Sequence, residues 1–284
     1  MGGVVKIGIL KAGCLGSLPL IEFLLDERAD REDIQVRVFG SGAKVTPEDC
    51  VECAEQALKQ SFDLIIFVGP AQITPGPTEV RKLLRGSGKP VIVISDTPAK
   101  RIIKELEDAG FGYIIVEADS MIGARREFLD PVEMALYNSD IIRVLAVTGA
   151  LNLIVSEIDR VIDAIKSGGN LNLPRLIIDS KRAVETAGFS NHYAKAKAMA
   201  AYELAKQVST LTFEACFKVQ EPEIYIPLVA AAHEIIRAAA NLADEAREIE
   251  KKNDSVLRRP HFRDGSRGEK RLLMEKPRKP ITSF

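Results

Sequence analysis

The chain has 284 residues, 46% of them hydrophobic and 28% charged, which is ample for a core in one large or two smaller domains. Lys and Arg number 39 against 40 Asp and Glu, so a formal net charge of -1 gives no global field that favours nucleic acid, and any anion binding falls to local patches. No uninterrupted apolar run approaches the ~20 residues that span a bilayer, and Met1-Gly-Gly-Val-Val leads straight into a strand rather than resembling a signal or transit peptide, so a cytoplasmic protein is expected.

Five short apolar runs punctuate the first 118 residues: Val4–Leu10, Ile34–Gly40, Asp63–Gly69, Pro90–Asp96 and Tyr113–Ala118. They are continuous in Val, Ile and Leu rather than alternating, as strands buried on both faces are. The gaps hold amphipathic segments, predicted as helices over Leu18–Ala29, Pro47–Gln60, Thr78–Arg85 and Ala99–Ala109, with Gly110 as a stop. Strand–helix alternation at this spacing predicts βαβ units and a parallel, Rossmann-like sheet with helices on both faces. Such sheets bind ligands beyond the carboxyl ends of their strands.

After Ala118 the pattern changes. Asp130-Pro-Val-Glu133 combines an N-cap, Pro at the first helical position and Glu at the third. A long helical stretch to about Lys166 follows, with Gly149 as a bend and Gly168-Gly-Asn170 as its end. Ala-rich helices are predicted over Ser180–Ala187, His192–Ser209 and Pro227–Lys252. Helices whose apolar faces are broader than one bundle can cover would imply an oligomer. Past Asn253 the chain turns basic, and Arg263-Asp-Gly-Ser-Arg267 reads as a hairpin turn or part of an exposed tail. The expected organisation is a parallel α/β domain over 1–125, a helical bundle over 126–253 and a basic segment over 254–284.

Four places invite chemistry. Lys11-Ala-Gly-Cys-Leu-Gly16 keeps the G-x-x-G half of a dinucleotide fingerprint, with Lys where its first Gly belongs. This argues against ordinary NAD(P) binding. An anion at the next helix N-terminus is physically reasonable there, helped by Lys11, with Ser17 as cap. A plain βα turn is the competing reading. Glu117-Ala-Asp-Ser-Met121 and Gly123-Ala-Arg125-Arg126 join the two halves, and adjacent arginines suit phosphate or carboxylate. Salt bridges to Glu127 and Asp130 would explain them equally well. Cys50 and Cys53 lie one turn apart on a helix, where buried side chains are the simpler reading than zinc or redox chemistry. His192, His233 and His261 form no constellation. The missing acid–base set suits a reaction that needs only two partners held in place, such as direct hydride transfer. It suits a nucleotide- or phosphate-binding regulatory module with a helical oligomerisation half equally well.

Longer blocks carry a resemblance. Val5-Lys-Ile-Gly-Ile-Leu-Lys-Ala-Gly-Cys-Leu-Gly16, Leu25-Asp-Glu-Arg-Ala-Asp-Arg31, Gly40-Ser-Gly-Ala-Lys44, Met121-Ile-Gly-Ala-Arg-Arg-Glu-Phe-Leu-Asp-Pro131, Tyr193-Ala-Lys-Ala-Lys-Ala-Met-Ala-Ala-Tyr-Glu203 and Glu245-Ala-Arg-Glu-Ile-Glu-Lys251 resemble the archaeal family of coenzyme F420-dependent methylenetetrahydromethanopterin dehydrogenases. The likeness runs from about residue 4 to residue 260. It implies reversible hydride transfer between the methylene carbon of the pterin and C5 of a deazaflavin, a one-carbon step of methanogenesis. It also implies a dissociable coenzyme F420, no metal, no nucleic-acid or membrane partner, and a homo-oligomer, a hexamer in this family. By their places at strand ends, Lys11, Gly13, Cys14, Gly16, Ser41, Pro70, Asp96 and Asp119 are the expected coenzyme contacts. Met121, Arg125 and Arg126 are expected toward the pterin. Glu117 and Asp119 are candidates to stabilise a methenyl cation through space, and no essential acid or base is expected.

Overall fold

The structure, a computed structural model, describes residues 3–25, 30–120, 128 and 130–279. Six parallel strands form one sheet: β1 Val5–Lys11, β2 Ile34–Gly40, β3 Leu64–Val68, β4 Val91–Ser95, β5 Gly112–Val116 and β6 Arg175–Ile178, in the order β2-β1-β3-β4-β5-β6. Every residue of β3, β4 and β5 is buried, the reason their sequences are unbroken apolar runs. β2 lies at an edge, and its residues alternate between half-buried and exposed for most of its length. The chain passes from β1 to one side for β2 and to the other for β3, so the topological switch falls between β1 and β3.

The helices are α1 Ser17–Leu25, α2 Pro47–Leu58, α3 Pro75–Gly86, α4 Ile103–Asp108, α5 Pro131–Thr148, α6 Ala150–Ser167, α7 Ser180–Ala187, α8 His192–Phe213 and α9 Pro222–Lys252. Local chemistry sets their ends. Thr46 Oγ1 accepts from the Asp49 N–H ahead of α2, and Asp130 Oδ1 from the Val132 N–H ahead of α5. Gly110 and Gly168 stop helices with positive φ. Gly149, at φ +98°, bends the α5–α6 run by 69°. A Cβ there would meet the Ala183 carbonyl oxygen at 2.2 Å, so the bend is also a close approach to α7.

Several expectations need correction. The segment predicted as one helix over Ala99–Ala109 is a 3-10 helix, Thr97–Ile102, followed by the short α4. α3 begins at Pro75, three residues before the predicted start, because Pro suits a first turn. α8 runs past Ser209 to Phe213 and continues as a π-helical turn, Glu214–Lys218. α9 begins at Pro222, which leaves Pro227 inside it within the first turns. β6 was not anticipated. It has only four residues, sits among helices in sequence, and is an edge strand with one buried residue. It pairs with β5 from Tyr113↔Arg175 to Val116↔Ile178, so the second half of the chain completes the sheet.

One apolar core accordingly spans both halves, from Ile7, Ile66 and Ile114 of the sheet to Ile141, Ile158, Tyr202 and Ile236 of the helices. A second, on the other sheet face, holds Phe67, Leu84 and Leu106 together with Cys50 and Cys53. Both thiols are buried there, and burial pushes the Cys53 thiol up to about 11. The basic segment folds back as antiparallel bridges, Arg258↔Lys270 and His261↔Arg267, around Gly265 at φ +80°. His261 Nε2 lies 2.8 Å from Asp159 Oδ2 of α6, and the Glu32 N–H donates to the Arg263 carbonyl at 2.9 Å. The hairpin reading therefore holds over the exposed tail.

Candidate active site

The carboxyl ends of the strands are tied to one another from below. Ala12 N–H donates to the Val68 carbonyl, and Ser41 N–H to the Lys11 carbonyl. A Cβ on Gly69 would lie 2.3 Å from the Ala12 carbonyl oxygen, so only Gly lets the loops after β1 and β3 pack at the switch point. Gly13, at φ +75°, makes the turn between them and leaves Cys14 pointing to solvent, the only exposed thiol of the four.

The anion at the α1 N-terminus belongs to the chain. Asp119, beyond β5, accepts from the Gly16 N–H at 2.9 Å and the Ser17 N–H at 3.0 Å, and from its neighbour Ser120 at 3.0 Å. Ser17 is thus the first helical residue rather than the cap, and an internal carboxylate stands where an external anion was reasonable. Gly16 permits the approach, since a Cβ there would meet Ile141 of α5 at 2.4 Å. Lys11 does not reach this point. Its ammonium pairs with Glu22 of α1 at 2.9 Å.

Asp96, beyond β4, is the second buried carboxyl. Its Oδ1 accepts from the Ala71 N–H at 3.3 Å and lies 3.1 Å from Ser95 Oγ, which donates to the Gly69 carbonyl. Burial, then repulsion from Asp119, pushes Asp96 up to about 7. Burial raises Asp119 as well.

Glu117 is held differently. Its carboxylate pairs with Lys100, from the 3-10 helix after β4, and with Lys206 of α8 at 2.9 Å. Burial alone would raise its pKa, but the two ammonium groups outweigh that and hold it below the usual glutamate value. Neither lysine was anticipated. Lys100 follows Pro98 in a strand-end loop, a faint signal, and Lys206 lies on a helix with no sequence cue for what it faces. Two tyrosines complete the seam with the helices. Tyr202 Oη donates to the Ile178 carbonyl at 2.5 Å and accepts from the Ala118 N–H, while Ser120 Oγ and Tyr137 Oη are 2.5 Å apart.

Among the expected coenzyme contacts, Cys14 is exposed and Lys11 and Ser41 are half-buried. Gly13, Gly16, Pro70, Asp96 and Asp119 are buried beneath them. Met121, Arg125 and Arg126 lie outside the described residues. Beside the end of β2, Phe39, Gly40, Ser41, Asp49, Glu52 and Cys53 line an open groove. His233 is an interior ring on α9, 4.6 Å from the ring of Tyr137 and 4.9 Å from that of Phe128, with Nδ1 3.5 Å from Glu133. Burial keeps its pKa below the ordinary histidine value.

These features define a ligand-binding α/β protein: a parallel sheet with a switch point, its strand-end loops braced by internal carboxylates and its far end covered by helices. Residues 5–278 match the family model of methylene-5,6,7,8-tetrahydromethanopterin dehydrogenase. The chain belongs to that family. It is 53% identical over 275 residues to the F420-dependent methylenetetrahydromethanopterin dehydrogenase of Methanocaldococcus jannaschii, and 55% identical over 274 residues to that of Archaeoglobus fulgidus. Each alignment covers 96% of this chain and 99% of the relative. A solved structure of F420-dependent methylene-tetrahydromethanopterin dehydrogenase, in complex with methylene-tetrahydromethanopterin and coenzyme F420, is 46% identical with a TM-score of 0.93. The likeness covers 97% of this chain and 100% of that one.

Proposed function

We propose that this chain transfers a hydride reversibly between 5,10-methylenetetrahydromethanopterin and coenzyme F420, giving the 5,10-methenyl cation and reduced F420. The observation that carries the reading is near-complete likeness, in sequence and fold, to an enzyme solved with both molecules bound. The methylene carbon loses a hydride and keeps a delocalised positive charge, while the deazaflavin accepts the hydride at C5 and takes up one proton from solvent on its pyrimidine ring. No proton passes from the methylene carbon to the protein. The task left to the chain is to hold donor and acceptor carbons at near-attack distance, which is worth several kcal/mol.

The braced loops suit that task. Asp119 and the glycines fix the course of Ala12–Gly16, so that Cys14, with Ser41 and Lys11 beside it, is the edge on offer to a flat ring. Gly13, Gly16, Pro70, Asp96 and Asp119 shape this edge from beneath. Arg125 and Arg126 are assigned on their chemistry alone to an anionic group of a substrate. We further place the protein in the cytoplasm as a homo-oligomer.

Purified protein given methylenetetrahydromethanopterin should bleach the visible band of F420 and leave NADP unreduced. Nicotinamide reduction instead would make it an ordinary dehydrogenase. Silence with both would return it to a phosphate-binding regulatory role. Positioning without proton transfer by a protein side chain has a second consequence. His192→Ala, His233→Ala and Cys14→Ala should each keep turnover within roughly 100-fold of the unsubstituted chain, below the usual contribution of a general acid or base. A larger loss in kcat for any of them, with both KM values and folding intact, would point to a proton-transfer step.

A further inference from the structure

We infer that this chain fills, with its own side chains, the two places at which a βαβ unit holds a dinucleotide, and that Lys11 and Asp119 thereby set its coenzyme specificity against nicotinamide dinucleotides. The inference rests on the hydride-transfer reading above and names the residues that restrict the coenzyme.

The first place belongs to the adenosine. A dinucleotide-binding βαβ unit opens its first turn with Gly and carries, near the end of its second strand, an acid that holds the adenosine ribose. Here Lys11 stands at the first of these positions, level with Gly40 in the pairing of β1 with β2. Its methylene stem runs over Gly40, where an added Cβ would lie 3.0 Å from Lys11 Cε and 3.6 Å from Lys11 Cβ. The ammonium then reaches Glu22 of α1 at 2.9 Å, and both partners are half-buried. The stem is thus fastened at its far end and covers the end of β2 on the side that α1 faces. No acid stands where the ribose would need one, since β2 ends in Gly40-Ser41 and the next acidic residue is Glu48.

The second place belongs to the diphosphate. Such a ligand sits on N–H groups at the start of the helix that follows the first strand. In this chain the Gly16 and Ser17 N–H groups already donate to Asp119, at 2.9 and 3.0 Å. Asp119 is fully buried and comes to this point from beyond β5. Ile141 of α5 closes the same spot, because a Cβ on Gly16 would meet its Cγ2 at 2.4 Å. A diphosphate arriving here meets donors already taken and a carboxyl group in its own place.

What stays open suits a different coenzyme. The turn at Gly13, the exposed Cys14 and the switch point between β1 and β3 remain on offer. A deazaflavin presents a flat ring to such an edge. With one phosphodiester and no adenosine, coenzyme F420 gives up nothing at the two filled places. A dinucleotide must break the Lys11–Glu22 pair and displace Asp119 to bind in the usual way. Specificity built from such obstruction differs from an incidental ion pair in one respect: the bulk of Lys11 matters more than its charge.

The test is binding of NADH to the full chain, followed by the rise in its fluorescence and reversed by ADP-ribose. NADH is the probe because it lacks the 2′-phosphate that a freed Glu22 carboxylate would repel. Lys11→Gly removes the stem, and Lys11→Met keeps its bulk without the charge. Lys11→Ala serves as a second deletion of the stem that leaves the strand backbone ordinary. Circular dichroism and a melting curve check each fold. The expected result is a Kd for NADH roughly tenfold or more below that of the unsubstituted chain for Lys11→Gly and Lys11→Ala, with Lys11→Met within about twofold of the parent. Adding Asp119→Ser to Lys11→Gly should lower the Kd by about tenfold again, as an obstructing charge is removed and two donors are released. Asp119→Asn, the milder change, replaces it if the melting curve shows loss of fold. No gain in the folded Gly and Ala variants would overturn the proposal, and so would an equal gain in Lys11→Met. No further gain on replacing Asp119 would strike that residue from it. Bleaching of F420 by the unsubstituted chain tests the hydride-transfer reading separately. A chain that leaves F420 unbleached while Lys11→Gly gains NADH would lose that reading and keep the filled dinucleotide place.

Discussion

Asp119→Ala is expected to lower stability by roughly 2–4 kcal/mol and to raise the KM for coenzyme F420 about tenfold or more. The carboxylate is fully buried and accepts three backbone N–H groups. Each donor left without an acceptor costs about 1–3 kcal/mol. Part of that loss is offset, because burial already makes the charge itself unfavourable. The Asn variant should fall between. Its Oδ1 can still take the Gly16 and Ser120 donors, but its NH2 group would face the Ser17 N–H that now meets Oδ2. Loosening this cap frees the Ala12–Gly16 loop, so the effect should appear in binding more than in turnover. A folded Asn variant with unchanged KM values and kcat reduced 10–1000-fold would instead mark Asp119 as the group that stabilises the methenyl cation. Denaturant titration and steady-state kinetics on the two variants separate these outcomes. Glu117 is a weaker candidate for that electrostatic role, since Lys100 and Lys206 already surround its charge.

What the sequence could tell followed from how strongly each element depends on its own residues. β3, β4 and β5 are buried on both faces, so their composition is forced and their places were plain. The same holds for the cap at Asp130 and the bend at Gly149, where one residue type meets one backbone requirement. β6 was silent because four residues at a sheet edge have little apolar demand, and their strand state comes from pairing with β5. At the site, strand-end position drew attention to Asp96 and Asp119, yet not to their burial. Asp119 reaches Gly16 across 103 residues of sequence, and a local pattern holds no trace of such a contact. The substitution of Lys for Gly at position 11 was legible as a departure from dinucleotide binding. Its partner Glu22 was not, because an 11-residue separation bridges strand, loop and helix. Identity came from long blocks of similar sequence, whereas the contacts of Asp96, Asp119 and Glu117 came from geometry.

Asp96→Asn is expected to be more stable than the unsubstituted chain at pH 8 and equal to it near pH 3. Asp96 is 2% exposed, and burial together with the Asp119 charge raises its pKa from 3.8 to about 7. The folded state therefore binds a proton more tightly than the unfolded state does. Below about pH 3.8 both states are protonated and the group contributes no pH dependence. Between that value and about 7 the unfolded chain releases the proton first, so stability falls as pH rises. Above about 7 the loss is complete, at roughly 4 kcal/mol for a shift of about three pH units at 1.36 kcal/mol each. An uncharged Asn avoids this loss while its Oδ1 can still accept from the Ala71 N–H. The difference between variant and parent, followed by urea unfolding from pH 3 to pH 8, isolates Asp96 from the other titrating groups. It should grow in favour of the variant across pH 4–7 and then level. Asp119→Asn should shrink that growth, because it removes the second of the two causes that hold the proton on Asp96. A difference that stays flat, or turns against the variant at pH 8, would mean that Asp96 is ionised in the folded protein. Its charge would then be matched by a group outside the strand-end carboxyl pair.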